Sequence, residues 1–398
     1  MKPIGAEVPA RDSVRLHAAV AGVFLAFGVG VGLWGGAAGA ILARAHVDPA
    51  AFGAILTAYT AAYLVAMSAA GALAHRFGVR RVLGITAIAF GAALCAVLNA
   101  GSALTVGGVL IGSGLLGGVV DETMNAEGAR IERRLGRPIL ARLHGAASAG
   151  MATGAILGSL IVASRAPWAA GLIAALGLAV AALAYDRAAQ GEAGPAKVAL
   201  PSAARRLSFA PALIGLGIVI GVSIAAETAA LLWSAVLLRA EAPKLAAIAG
   251  LGAAFFSACQ AMLRFNADLI RLRFSDQRLI VASFVVAAVG FGVVGAEGGF
   301  ALSVAGFALI GVGTGAIVPC SFALAARQSG SQPAVGLSSA SLFSALTRLP
   351  APLATGAIAQ SFSLPLAFAA FALALAAAAA GMGAFAALGR NASAAKGV

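Results

Sequence analysis

The sequence predicts an all-α polytopic membrane protein, with twelve transmembrane helices in two six-helix halves, and three observations carry that prediction. Hydrophobic types make up 61% of the 398 residues and charged types 10%, with a mean hydropathy of +0.98. A soluble globular chain has about a quarter charged residues and under half apolar ones, so a water-soluble enzyme is excluded. Apolar runs of about 20 residues, enough to cross roughly 30 Å of hydrocarbon, recur twelve times along the chain. The third observation is that the basic residues are sorted between alternate gaps.

The runs lie at approximately 17–43, 51–74, 82–100, 103–128, 139–163, 167–186, 210–237, 244–265, 279–296, 299–326, 334–360 and 364–388. The first is far longer than a signal-peptide core and lacks an A-x-A-like end, so it reads as a retained helix. Numbered from an inside N-terminus, the inside gaps hold 22 of the 27 Lys and Arg residues, in groups such as Arg76/Arg80/Arg81 and Arg264/Arg271/Arg273/Arg278. The outside gaps hold Arg44, Arg165, Arg239 and Lys244, and Arg348 falls within span 11. Positive charge collects on the cytoplasmic side of membrane proteins, which puts both termini in the cytoplasm of a bacterial inner-membrane protein. The net charge of +13 is then an orientation signal, and no nucleic-acid partner is implied. Cys95, Cys259 and Cys320 lie far apart inside spans, and no phosphate-cradling Gly-x₄-Gly-Lys-Ser/Thr loop occurs. Neither a disulfide framework, a metal, a cofactor nor an ATP-driven pump is called for.

The longest polar stretch, Asp186 to Ser208, contains two prolines, two glycines and mixed charge. It reads as a cytoplasmic linker (186–208) between an N-terminal bundle (1–185) and a C-terminal bundle (209–398). Two local patterns recur across it. Gly71-Ala-Leu-Ala-His75-Arg76-Phe77-Gly78-Val-Arg80-Arg81 closes span 2, and Arg264-Phe-Asn-Ala-Asp268-Leu-Ile-Arg271-Leu-Arg273 closes span 8, while Trp34 of span 1 recurs as Trp233 of span 7. Similar offsets in the same order read as two parallel repeats about an axis along the membrane normal. Gly32/Gly36, Gly150/Gly154/Gly158 and Gly311/Gly315 form small-residue ladders that let helix backbones approach closely.

On these residues the chain resembles the major facilitator superfamily over essentially its whole length. The stretch Gly71–Arg81 is similar to that family's loop between helices 2 and 3, with His75 where an aspartate is usual and Asp268 at the matching place in the second half. Asp121-Glu-Thr-Met-Asn125, with an acid and an asparagine four residues apart on helix 4, looks like a bacterial branch related to fucose–proton symporters. The resemblance implies a major facilitator fold, secondary transport by alternating access, and gating roles for Gly71, His75, Arg76, Gly78, Arg80, Arg81 and Asp268. Drug exporters of the family carry a glycine–proline pair in span 5, and no proline follows Gly154 or Gly158 here.

Ionisable side chains within the spans cost roughly 2.5–3.5 kcal/mol each near the bilayer centre, which makes them the candidates for function. Asp121 shares a helix face with Asn125, while Glu122 points about 100° away; both acids are candidates for proton coupling or for pairing with the arginine-rich inside loop. His144 in span 5 is placed by residue count at the depth of Asp121, where the two could share a proton. A helix-to-helix hydrogen bond is the alternative for that histidine. Glu227 in span 7 is the fourth proton-coupling candidate. Arg348 cannot shed its charge, so it needs a carboxylate partner, Glu227 or Asp121, or an anionic substrate. Trp34 and Trp233 are read either as stacking platforms for a sugar or ring or as an interfacial aromatic belt. The substrate-binding candidates are therefore Asn125, Arg348, Trp34 and Trp233. Three membrane acids outnumber one arginine, which favours a neutral or zwitterionic solute over an anion.

The sequence thus predicts a monomeric, proton-coupled secondary transporter that imports a small polar metabolite, with a proton-driven exporter as the alternative. The short polar tails, about 16 and 10 residues, favour transport over a ligand sensor with a soluble signalling domain.

Overall fold

The computed structural model describes residues 10–190, 207–330 and 332–395. Most of the expected linker, and with it Lys197, Arg205 and Arg206, lies outside the described residues, as do Lys2 and Lys396. The described residues form helices α1 (Ala10–Ala45), α2 (Pro49–Phe77), α3 (Val79–Leu98), α4 (Ala103–Leu135), α5 (Leu140–Ala163), α6 (Pro167–Ala188) and α7 (Pro211–Glu241). A 3₁₀ turn (Pro243–Ile248) leads into α8 (Leu251–Phe265), α9 (Ala267–Arg273), α10 (Asp276–Gly295), α11 (Phe300–Thr314), α12 (Ile317–Gln328), α13 (Pro333–Arg348), α14 (Ala351–Ser361) and α15 (Leu364–Ala395). Each of the twelve expected spans is present. Span 10 is divided into α11 and α12 ahead of Pro319, and span 11 into α13 and α14 at Pro350, because proline lacks the donor and clashes with the preceding turn.

Helix starts follow local chemistry. Asp48 caps α2, its Oδ1 accepting from the Ala51 N–H at 2.7 Å, with Pro49 in the first turn. Ser102 and Thr105 form a reciprocal capping box on α4, and Ser275 caps α10. Several helices run past the hydrocarbon limits that hydropathy set, since α4 continues to Leu135 through the charged turn that holds Arg130, Arg133 and Arg134. Large apolar side chains such as Val65, Ile85, Val180 and Leu373 are exposed on the outside of the bundle, while Ser148, Ser223, Thr314 and Gln260 are buried inside it. That inverted distribution is what a lipid surround demands.

The four principal packings of the first half, α1 on α5, α2 on α4, α3 on α6 and α3 on α4, recur in the second as α7 on α13, α8 on α11, α10 on α15 and α10 on α11. The halves meet through α1 on α7, α5 on α8 and α2 on α14, of which the last two exchange under the repeat operation. Much of this seam falls at the end remote from the N-terminus: Gly35 and Gly39 face Leu231 and Ala235, Gly53 faces Pro352 and Gly356, and Gly250 faces Ala155. The glycine ladders do what their spacing implies. Gly150, Gly154 and Gly158 lie against the α1 carbonyls of Leu25, Val29 and Leu33, and reciprocally Gly28, Gly32 and Gly36 lie against Ala147, Met151 and Ala155. A Cβ at any of these positions would overlap backbone. Gly154→Leu is therefore expected to lower the thermal unfolding midpoint in detergent, overpacking costing about 1–3 kcal/mol or more. Gly177→Leu, where an added Cβ meets nothing, should leave the midpoint unchanged.

Candidate functional site

Two polar clusters occupy the seam between the halves. The first is built on α4. Asn125 donates from Nδ2 to both the backbone carbonyl and Oδ1 of Asp121 at 2.9 Å, as the shared helix face requires. The Tyr63 hydroxyl, from α2, reaches the same carboxylate. Tyr59 stands one turn away with its ring centroid 5.9 Å from that of Tyr63. Facing this group from the other half is Arg348, the last residue of α13, within electrostatic range of Tyr63, Asp121 and Tyr59 and, on its own half, of Glu227. Its Nε is buried without a hydrogen-bond partner among the described residues.

The second cluster spans the halves. Glu227 on α7 pairs with Arg264 on α8 at 3.0 Å and accepts from Gln260 Nε2 at 2.8 Å. Gln260 also donates to Thr314 on α11 at 3.2 Å. The opposite half contributes Ser148 of α5, whose hydroxyl donates to Gln260 Oε1 at 3.0 Å and accepts from Arg264 NH1 at 2.8 Å. Side-chain exposures of 14% for Arg264 and 18% for Glu227 place this ion pair largely out of water. A charge pair so screened from solvent is tolerated because each ion keeps several bonds.

Several sequence expectations are corrected here. Arg264 belongs to this buried network rather than to the inside loop: it is one residue from the end of α8, and its long stem turns back along the helix. Arg348 bonds neither Glu227, which Arg264 occupies, nor Asp121, which Asn125 and Tyr63 occupy. His144 makes no hydrogen bond to Asp121; it sits edge-on to Phe24 with a centroid separation of 5.4 Å, and its charged neighbour is Arg264. Equal depth in two helices does not make two side chains face each other. Glu122 is engaged in an interaction of its own. Trp34 and Trp233, 4% and 1% exposed, offer neither open stacking faces nor an interfacial belt, because Phe52 is packed between them at 6.4 and 4.7 Å. Those three rings form one aromatic cluster across the seam. With Arg264 counted among the membrane charges, the excess of acids that favoured a neutral solute also shrinks.

Beyond these rings, at the C-terminal end of α1, lies a cavity of about 550 Å³ lined by small residues of α1, α5 and α7 together with Arg44, Arg165 and Arg239. Arg44 is committed there to backbone, donating to the carbonyls of Leu98 and Ala100.

The comparisons with known proteins agree with this architecture. No family model matches the chain. An uncharacterised transporter of Sinorhizobium fredii, y4wD, is 28% identical over 356 residues, 88% of this chain and 92% of that protein. An uncharacterised MFS-type transporter of Yersinia pestis is 25% identical over 87% of this chain and 89% of its own length. The crystal structure of the nucleoside transporter NupG superposes with a TM-score of 0.69 at 13% identity, covering 94% of this chain and 98% of that one. A bacterial homologue of the human lysosomal transporter Spinster, in an inward-facing and occupied conformation, superposes with a TM-score of 0.68 at 12% identity, covering 95% and 97%. The chain is similar along most of its length to transporters of the major facilitator type and shares their fold.

In this transporter the loop between α2 and α3 is reduced to Gly78, whose φ of 85° suits a residue without a Cβ. Arg80 holds Asp186 at the end of α6 with two bonds, one of them from NH2 to Oδ2 at 2.8 Å. His75, Arg76 and Arg81 are exposed; Arg76 lies over the Phe77 ring at 5.2 Å, and a Cβ on Gly71 would meet nothing. In the second half the tie forms on Asp276 rather than on Asp268. Arg271 donates to Asp276 at 2.9 Å and Arg327 pairs with the same carboxylate, linking α9, α10 and α12. Asp268 occupies the first turn of the short helix α9.

Sequence reasoning missed Tyr59, Tyr63, Ser148, Gln260 and Thr314. The tyrosines carried a signal, since two of the three in the chain lie one turn apart in an apolar span. Gln260 and Arg264 likewise share one face of α8 by their spacing of four.

Proposed function

We propose that this transporter imports a small polar metabolite together with a proton, across a bacterial inner membrane, by alternating access of a site between Asp121 and Glu227. The termini then face the cytoplasm and the Trp34–Phe52–Trp233 seal closes the outer path. The observation that carries the reading is the Glu227–Arg264–Gln260–Ser148 network, which joins the halves through an ionisable group. Protonating Glu227 removes the charge that holds Arg264, which loosens the α5–α8 contact. Asp121 on the opposite half, already hydrogen-bonded by Asn125 and Tyr63, supplies a second protonatable group beside the same seam. Paired carboxylates buried at a moving seam couple proton binding to rearrangement, because each is costly as an ion unless its partners are in place.

The test is substrate-dependent proton flux into proteoliposomes that carry a lumenal pH dye, challenged in turn with pools of sugars, nucleosides, amino acids and carboxylates. Symport is expected to acidify the lumen when one pool is added outside. Alkalinisation on addition of the same pool would make the protein an exchanger of protons for solute, and the absence of flux with every pool would remove the proton from the mechanism.

A further inference from the structure

We propose that the transported solute carries a carboxylate that docks on Arg348, with no second negative charge. The inference rests on the proton-coupled reading above. Its ground is an arginine with charge and donors to spare. A guanidinium keeps its charge in a protein and presents five donors in a planar fork. Arg348 makes no hydrogen bond and no ion pair with any described residue, and its Nε is buried. Each carboxylate in its electrostatic range is engaged elsewhere, Glu227 by Arg264 and Gln260, Asp121 by Asn125 and Tyr63. The place for an acceptor is therefore left open at the seam.

The neighbours of Arg348 decide the chemistry of that acceptor. A carboxylate matches the two parallel donors of a guanidinium. A phosphate would match them as well, but its second charge would find no cation to balance it, because Arg264 is held by Glu227. An ammonium on the same solute meets no such penalty, so amino acids and monocarboxylates both fit.

Charge balance then ties solute to proton. In the empty site, ionised Asp121 compensates Arg348 across the seam. A proton taken from the outer water onto Asp121 leaves Arg348 uncompensated, and an incoming carboxylate restores the balance. For a monocarboxylate the site thus bears the same net charge when empty with Asp121 ionised as when loaded with Asp121 protonated, and these are the two forms that must cross. A neutral solute arriving with the proton would leave Arg348 uncompensated.

The experiment is a thermal-shift and equilibrium-binding screen of the purified full-length transporter with matched pairs of probes. Amino acids, hydroxy acids and short monocarboxylates are each run beside their carboxamides, with monosaccharides and nucleosides as neutral references. At least one carboxylate is expected to bind ten times or more tightly than its amide. Arg348→Gln should abolish that preference, whereas Arg348→Lys, which keeps the charge without the fork, should retain a weakened one. Preferential binding of a sugar or nucleoside, equal binding of acid and amide, or no binding by any carboxylate would each overturn the proposal. If Arg348→Gln does not fold, the acid-to-amide ratio in the unaltered protein and in Arg348→Lys still decides. The two readings fail separately. Carboxylate binding without proton flux would sink the coupling alone, and proton flux driven by a neutral pool would sink the carboxylate alone.

Discussion

Asp121→Asn is expected to end uphill accumulation while leaving exchange between preloaded vesicles intact. Asparagine keeps the shape of the side chain and can still hydrogen-bond Tyr63 and Asn125, so the substitution removes the titration and, in the empty site, the charge that faces Arg348. One unit of pH gradient is worth about 1.4 kcal/mol, or tenfold accumulation for one proton per solute. The variant should lose that factor and equilibrate to a ratio of one. Counterflow of labelled solute in proteoliposomes, with and without an imposed gradient, separates the two properties. Accumulation that survives at the unaltered level would make Asp121 a structural acid and move the coupling to Glu227 alone.

Arg264→Ala carries the largest expected effect on stability. It strips Glu227 of its ion-pair partner and Ser148 of a donor, within a network exposed by less than a fifth. Removing one member of a buried pair costs about 3–5 kcal/mol, because the remaining charge is left without compensation. The unfolding midpoint in detergent should drop markedly. A double variant, Glu227→Gln with Arg264→Gln, should recover most of the loss, since neither residue is then an unpaired ion. Equal midpoints for the single variant and the unaltered protein would show that the pair holds nothing together.

Much of the fold is legible along the chain. Twelve apolar runs become twelve spans, because hydrocarbon forces every backbone donor and acceptor into a helix and each helix must be about 20 residues long. The glycine ladders at 150, 154 and 158 and at 32 and 36 are found in backbone contact, since nothing larger fits where two helix axes approach so closely. Asp121 and Asn125 bond as their spacing of four dictates.

The candidate site was legible only in part, and the missing portion is of one kind. Which residue is ionisable and how deep it lies follow from the sequence by counting, and this singled out Asp121, Glu227 and Arg348. Whom each one meets depends on how the helices are rotated about their axes and on which faces the two halves bring together, quantities that hydropathy does not encode. So Arg264, one residue from a span boundary, reads as a loop charge although its side chain reaches back to Glu227 and Ser148. His144 reads as a partner of Asp121 although it packs on Phe24. The sequence by itself determined the spans, the repeat and the short list of charges in the membrane, because those are local consequences of chain composition in lipid. Tertiary structure decided the pairing, joining Glu227 to Arg264, Asp121 to Tyr63 and the two tryptophans to Phe52, and leaving Arg348 without a bond among the described residues. Such pairing is a property of helix faces meeting across a seam, and no stretch of one helix contains it.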